Sequence, residues 1–161
     1  MAQEIERKFL VKNNNWKALA TGLAYCQGYI PTVQSGRSVR VRTAGTRGYL
    51  TLKGPIRGTQ GLTRSEFEYE IPLGDAQQML ETLCAKPLIE KTRYRLPLGD
   101  VIWDIDEFAG ENAGLIVAEV ELHCEDQPFE RPEWLGEEVS GKPQYYNASL
   151  VKYPYSQWPT P

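Results

Sequence analysis

The chain has 161 residues, 41% of them hydrophobic and 24% charged, with a formal net charge of −3. That length suits one domain over residues 1–161 whose core needs neither disulfides nor a structural metal. The slightly acidic balance excludes a protein built mainly to coat nucleic acid, which would be strongly basic.

In chain order, the first element is a strand at Gln3–Val11, followed by a short helix at Asn15–Ala20 with an Asn as its cap. Strands follow at Tyr25–Pro31, Ser38–Thr43 and Tyr49–Lys53, the last two separated by the turn Ala44-Gly45-Thr46-Arg47-Gly48. The loop Gly54–Gly61 leads to a strand at Thr63–Ile71. Asp75–Cys84 reads as a helix: Asp75 caps it, Ala76, Met79, Leu80 and Leu83 recur at helical spacing, and Lys86-Pro87 ends it. Strands at Leu88–Leu96 and Val101–Phe108 flank the turn Pro97-Leu98-Gly99-Asp100, and an eighth runs through Leu115–Cys124. A last helix is expected near Tyr145–Tyr153. The class is mainly β (α+β), with helices packed outside the strands.

Residues two apart on a strand share a face. Glu4, Glu6 and Lys8 therefore line one face while Ile5, Arg7, Phe9 and Val11 line the other. The same separation sets Arg40 and Arg42 against Val39 and Val41, and Arg64, Glu66, Glu68 and Glu70 against Phe67, Tyr69 and Ile71. Lys91, Arg93 and Arg95 form another charged row, Asp104 and Asp106 a fifth, and Glu119 and Glu121 a sixth. One such row is an ordinary solvated face. Six rows, nearly pure in charge and each stacking like charges, are unfavourable unless the opposite sign lies across from them. Closing the sheet with its charged face inward supplies that sign. Acidic rows from the first, seventh and eighth strands then gather on one wall and Lys8, Arg40, Arg42, Lys53, Arg64, Lys91 and Arg93 on the others. Desolvating so many charges costs several kcal/mol per ion unless each is paired or ligated, which points to a ligand using both signs. Carboxylates suit Mg²⁺ or Mn²⁺, and Arg and Lys suit a phosphate chain.

The same residues resemble the CYTH superfamily, the triphosphate tunnel metalloenzymes. Glu4-Ile5-Glu6-Arg7-Lys8 matches its ExExK signature. Gln27-Gly28-Tyr29, Arg40-Val41-Arg42, Thr51-Leu52-Lys53, Arg64-Ser65-Glu66-Phe67-Glu68, Glu90-Lys91-Thr92-Arg93-Tyr94, Asp106-Glu107-Phe108-Ala109-Gly110 and Glu119-Val120-Glu121 follow in order. The tail, Trp134–Val139 and then Tyr145-Tyr146-Asn147, looks like the bacterial single-domain tripolyphosphatase branch. The resemblance implies a closed eight-stranded antiparallel tunnel with Glu4, Glu6, Asp106, Glu119 and Glu121 on the metal ions. It implies Lys8, Arg40, Arg42, Lys53, Arg64 and Arg93 on the phosphate chain, and Lys91 with Tyr29 as the catalytic pair. Segment Ser140–Gln144 departs from the pattern, and Lys142 there reads as a solvated loop lysine.

The expected reaction is hydrolysis of inorganic triphosphate to diphosphate and phosphate with Mg²⁺ or Mn²⁺. Relatives sharing the tunnel act as nucleoside triphosphatases, thiamine-triphosphatases or adenylyl cyclases, so those activities stay open, with Tyr25, Tyr49 and Trp103 available to stack on a base. A non-catalytic polyphosphate-binding module and a sandwich with solvated charged faces are further alternatives. No P-loop or GxSxG elbow is present, and His123 is the lone histidine. Cys26, Cys84 and Cys124 lack CxxC or CxH spacing, no run reaches the about 18 apolar residues of a membrane span, and no signal peptide is visible. The expectation is a cytoplasmic protein with a small-molecule triphosphate as its partner and neither nucleic acid nor membrane. The oligomeric state is left open, a homodimer included.

Overall fold

The structure, a computed structural model, describes residues 3–159. The alternating runs all become strands: β1 Gln3–Val11, β2 Gly22–Ile30, β3 Ser38–Ala44, β4 Arg47–Lys53, β5 Thr63–Ile71, β6 Ile89–Leu98, β7 Val101–Phe108 and β8 Ile116–Glu121. A short strand the alternation does not reveal, β9 Leu135–Glu138, follows. Pairing is antiparallel throughout, in the order β5-β4-β3-β2-β6-β7-β8-β1-β9. Gln3, Glu4 and Ile5 of β1 also pair with Ser65, Arg64 and Thr63 of β5, which closes eight strands into a barrel. β9 takes up more of β1, through Phe9 and Val11. Closure makes the alternation absolute: one face of every strand lines the lumen and the other must be covered from outside.

Two outer cores supply the cover. Helix α1, Leu73–Thr82, lays Ala76 and Leu80 over Val41 of β3, with Cys84 just beyond its end and Cys26, Ile30 and Leu50 around them. Pro72 precedes this helix and Asp75 lies in its first turn, so Asp75 is not the cap the sequence suggested. The approach is close. A Cβ on Gly28 would lie 2.8 Å from the Cβ of Cys84, and one on Gly48 2.8 Å from that of Ala76. The opposite side is covered by loops rather than by a long helix. Trp16, from a 3₁₀ turn at Asn15–Leu19, and Trp134 pack with Ile5, Phe9, Trp103, Ile105, Ala118 and Val120. Trp103 meets Phe9 at 5.7 Å and Trp134 at 5.4 Å edge-on, an arrangement favoured by the ring quadrupoles.

A third apolar cluster stops one end of the lumen. Along the inward rows the charges give way to Leu10, Tyr29, Ile89, Phe108 and Val117. Leu150 and Val151 of α2, Asn147–Lys152, pack onto them with Tyr145 and Trp158 nearby. The opposite end carries the exposed Glu121, so the tunnel is blind at the α2 end. No helix among the described residues is long and apolar enough to cross a membrane.

Candidate active site in the tunnel

Strand order puts β7, β8 and β1 side by side, and with them the expected acidic wall. Cross-strand register sets Glu6 opposite Glu121, Lys8 opposite Glu119, and Asp104 opposite Glu119. The basic wall comes from β3 and β6, joined through β2. Glu4, Lys8, Arg40, Arg42, Lys91 and Asp106 are buried, a set of charges that a core would not keep without partners.

Many of these charges are paired with one another. Asp106 is the hub: its Oδ1 accepts from Arg93 Nε at 2.7 Å, and its Oδ2 from Lys91 Nζ at 2.7 Å and Arg93 Nη2 at 2.9 Å. Burial alone would raise its pKa, but Arg93 and Lys91 hold it well below the carboxylate range. Burial, seconded by Arg93 and Arg42, pushes the Lys91 ammonium well down even against Asp106. Arg93 goes up instead, because Asp106 overrides its burial. On β3 Arg42 is lowered to about 9 by burial and by Arg40 and Arg93. A basic wall whose members repel one another is primed for an anion.

The acidic wall is strained in the complementary sense. Burial, with Glu119 and Glu4 beside it, pushes Glu6 well up, and Glu6 makes no ion pair among the described residues. Asp104 is raised by burial, and its Oδ1 is a buried oxygen with no hydrogen-bond partner among the described residues. Glu4 pairs with Lys53 at 2.6 Å, yet burial still raises it. Glu119 lies 3.6 Å from Lys8. Burial works against its charge, but Lys8 and Arg93 outweigh that and hold it at about 2. No three acidic, His or Cys side chains among the described residues are gathered tightly enough to ligate one ion as they stand, because Glu4 and Glu119 lean toward lysines. The donor chemistry nevertheless fits a hard divalent cation: crowded carboxylates with an orphaned buried oxygen. Asp104 was read from the sequence as part of a charged row but not as a ligand. Its unpartnered oxygen singles it out, and no periodicity carries that signal.

Not every expected phosphate ligand points free into the lumen. Lys53 is held between Glu4 and Glu66, and Arg40 donates to Thr51 and Glu68. Arg64 sits at the rim, where its guanidinium donates to the carbonyls of Gly54 and Gly36. Lys8 donates to the Tyr145 carbonyl at 3.3 Å. Glu66 and Glu68 are thus counter-charges for Lys53 and Arg40. Lys142 is an exposed loop lysine paired with Glu137 at 3.2 Å, and His123 is exposed.

Lys91 and Tyr29 are joined indirectly. Lys91 Nζ donates to Asn147 Oδ1 at 3.0 Å, Gln27 Nε2 donates to that same oxygen at 3.2 Å, and Gln27 Nε2 also donates to the Tyr29 hydroxyl at 2.9 Å. Among the aromatics considered for base stacking, Trp103 is fully buried in the outer core. Tyr25 is ringed by cations instead, with Arg42 4.8 Å and Arg93 5.0 Å from its centroid.

A closed antiparallel barrel with a charge-sorted lumen defines the architectural class. The chain belongs to the CYTH domain family, whose match spans residues 2–155. It is 49% identical over 158 residues to an inorganic triphosphatase of Acetivibrio thermocellus, covering 98% of this chain and 99% of that one. An inorganic triphosphatase of Nitrosomonas europaea is 38% identical over 153 residues, covering 92% and 96%. A solved inorganic triphosphatase structure superposes with a TM-score of 0.61 at 33% identity, over 91% of this chain and 96% of the other.

Proposed function

We propose that this chain hydrolyses inorganic triphosphate to diphosphate and phosphate inside its tunnel, with Mg²⁺ or Mn²⁺ held by the acidic wall. The observation that carries the reading is the sorting of charge across one lumen, carboxylates on β7, β8 and β1 facing cations on β3 and β6. The relatives named inorganic triphosphatases agree with it.

In the reaction a water oxygen bonds to the terminal phosphorus, the bridging P–O bond breaks, and diphosphate leaves while the water gives up a proton. Such a transfer asks the protein mainly for alignment and charge stabilisation. Arg40, Arg42 and Arg93 clamp the non-bridging oxygens, Lys8 adds charge beside the closed end, and Lys53 and Arg64 extend the cationic track toward the rim. Incoming phosphate competes with Asp106 for Lys91 and Arg93, so the hub exchanges one anion for another at little electrostatic cost. Lys91 and Tyr29 then lie beside the chain as the candidate catalytic pair. Glu4, Glu6, Glu119 and Glu121, joined by Asp104, would hold the metal, and Asp106 can join them once Lys91 and Arg93 have turned to phosphate. A divalent ion there lowers the pKa of a bound water and offsets phosphate charge. Trp103 is shut in the outer core and the face of Tyr25 is ringed by cations, so neither of these two offers a nucleoside a free ring, which favours the inorganic substrate.

The test is phosphate release from triphosphate, ATP, thiamine triphosphate and diphosphate with Mg²⁺, Mn²⁺ or EDTA. Metal-dependent turnover of triphosphate, reduced by at least about 10²-fold in Glu4→Gln and Lys91→Ala, supports the reading. Faster turnover of ATP moves the function to a nucleotide enzyme. Triphosphate that raises the melting temperature without being cleaved makes the chain a binding module.

A further inference from the structure

The candidate catalytic pair is separated by two uncharged amides that nothing in the charge pattern calls for. Gln27 is fully buried. Its orientation is fixed by chemistry, because Arg42 Nε can only donate and so must meet Oε1, which it does at 2.9 Å. That leaves Nε2 to serve both the Tyr29 hydroxyl and Asn147 Oδ1. The same logic fixes Asn147: Lys91 is donor-only, so its partner must be the carbonyl oxygen. One continuous chain, Lys91–Asn147–Gln27, then branches to Tyr29 and Arg42. Asn147 is also the first residue of α2, whose Leu150 is fully buried in the plug.

From this geometry we propose that Gln27 and Asn147 are positioning residues for the triphosphatase reaction. They hold Lys91 and Tyr29 in mutual register and tie that register to the seating of α2. The proposal rests on the triphosphatase reading for its kinetic consequence but not for the contact itself. Neutral amides suit the task. A carboxylate at Gln27 would neutralise Arg42, and one that reached the substrate would repel it. An amide instead offers donor and acceptor from a single rigid plane. As an ammonium Lys91 has three donors; Asn147 takes one, so the donors left for Asp106 or an incoming phosphate are constrained in where they can aim. Removing Asn147 Oδ1 leaves Lys91 held only by the anion it meets, Asp106 or phosphate, and free to swing about that bond. A displacement near 1 Å at a reacting group costs about 10²-fold in rate.

Asn147→Ala is expected to lower kcat about 10- to 100-fold with KM nearly unchanged. The decisive comparison repeats Asn147→Ala in a Lys91→Ala background. A residue that acts through Lys91 has little left to do there, and the further loss should stay below about threefold. Equal losses in both backgrounds would overturn the proposal, since they would mean that Asn147 only props up α2. Nitrogen NMR of lysine-labelled protein reads the contact without turnover. Gln27 does not touch Lys91 but also holds Arg42, which acts on Lys91 through space. Gln27→Met is therefore compared with and without Asn147→Ala: a Lys91 ammonium shift that Asn147→Ala abolishes reports transmission through Asn147, and an unmoved signal or an undiminished shift refutes the relay. Wild-type protein that fails to cleave triphosphate would defeat the triphosphatase reading and leave the NMR result to decide whether the relay exists.

Discussion

Asp106→Asn is the substitution whose effect the structure fixes best. The change is nearly isosteric, but both oxygens of Asp106 are engaged by cations, and an amide can present an oxygen to only one side. Its NH₂ would face Lys91 or Arg93, donor against donor. The two cations, left without their counter-charge, would also repel Arg42 on the same basic wall. Removing one partner of a buried ion pair costs about 3–5 kcal/mol, and the site is 1% exposed, so solvent screening does not reduce the figure. For a chain of this length about 3 kcal/mol lowers the melting temperature by about 6–12 °C. Urea and thermal unfolding in EDTA, with and without triphosphate, measure both halves of the expectation. The ligand-free variant should be destabilised by that amount. Triphosphate, which now meets no internal competitor for Lys91 and Arg93, should raise its melting temperature further than it raises that of the wild type. An unchanged urea midpoint, or a smaller triphosphate shift in the variant, would refute the hub.

Leu150→Ala empties the centre of the plug and should cost about 2–5 kcal/mol, seen as faster amide exchange along α2 ahead of the barrel strands. Gly28→Ala pushes a methyl against Cys84 and Leu88 where α1 lies on β2, and should destabilise by about 1–3 kcal/mol in urea unfolding. Glu125 accepts from the amides of Gln60 and Leu62 and the hydroxyls of Thr59 and Thr63, and the Gln60 amide foremost lowers its pKa to about 2. A depressed carboxylate stabilises the fold above its unfolded pKa of about 4.3 and loses that contribution as pH falls toward 2. The melting-temperature gap between wild type and Glu125→Gln should therefore be full near neutral pH, close between about pH 4 and pH 2, and an unchanging gap would contradict the assignment.

Strand alternation made most of the barrel legible because each charged row states which face it occupies. Once β7, β8 and β1 were grouped by charge, their adjacency followed. What alternation does not encode is where rows end and what meets them there. Leu10, Ile89, Phe108 and Val117 continue the inward rows of Lys8, Lys91, Asp106 and Glu119, and that switch from charge to hydrocarbon is the sequence signal of the closed end. The helix expected near Tyr145–Tyr153 is present as Asn147–Lys152, but six residues carry no period that says it seals this end. β9 escapes for a similar reason: Leu135-Gly136-Glu137-Glu138 has no alternation, and its strand character comes from the β1 edge it joins. The apolar cover followed the same rule. Helix α1 announces itself by spacing, whereas Trp16 and Trp134 cover the other flank from turns that have no period. Asp104 and Gln27 are found only through the partners they have or lack.

The first strand also sets the schedule on which this molecule can be made. β1 pairs with β5, β8 and β9, so every neighbour it has lies far downstream. A chain leaving the ribosome from its N-terminus must carry Phe9 uncovered until β8 and β9, up to Glu138, emerge, while the β2–β5 meander with its helix, and then β6 and β7, can form earlier. Long-range closure of this kind folds slowly and exposes sticky surface in the interval. The alternating charges of β1, two of them acidic at its very start, thus also keep a waiting strand from pairing with the wrong edge.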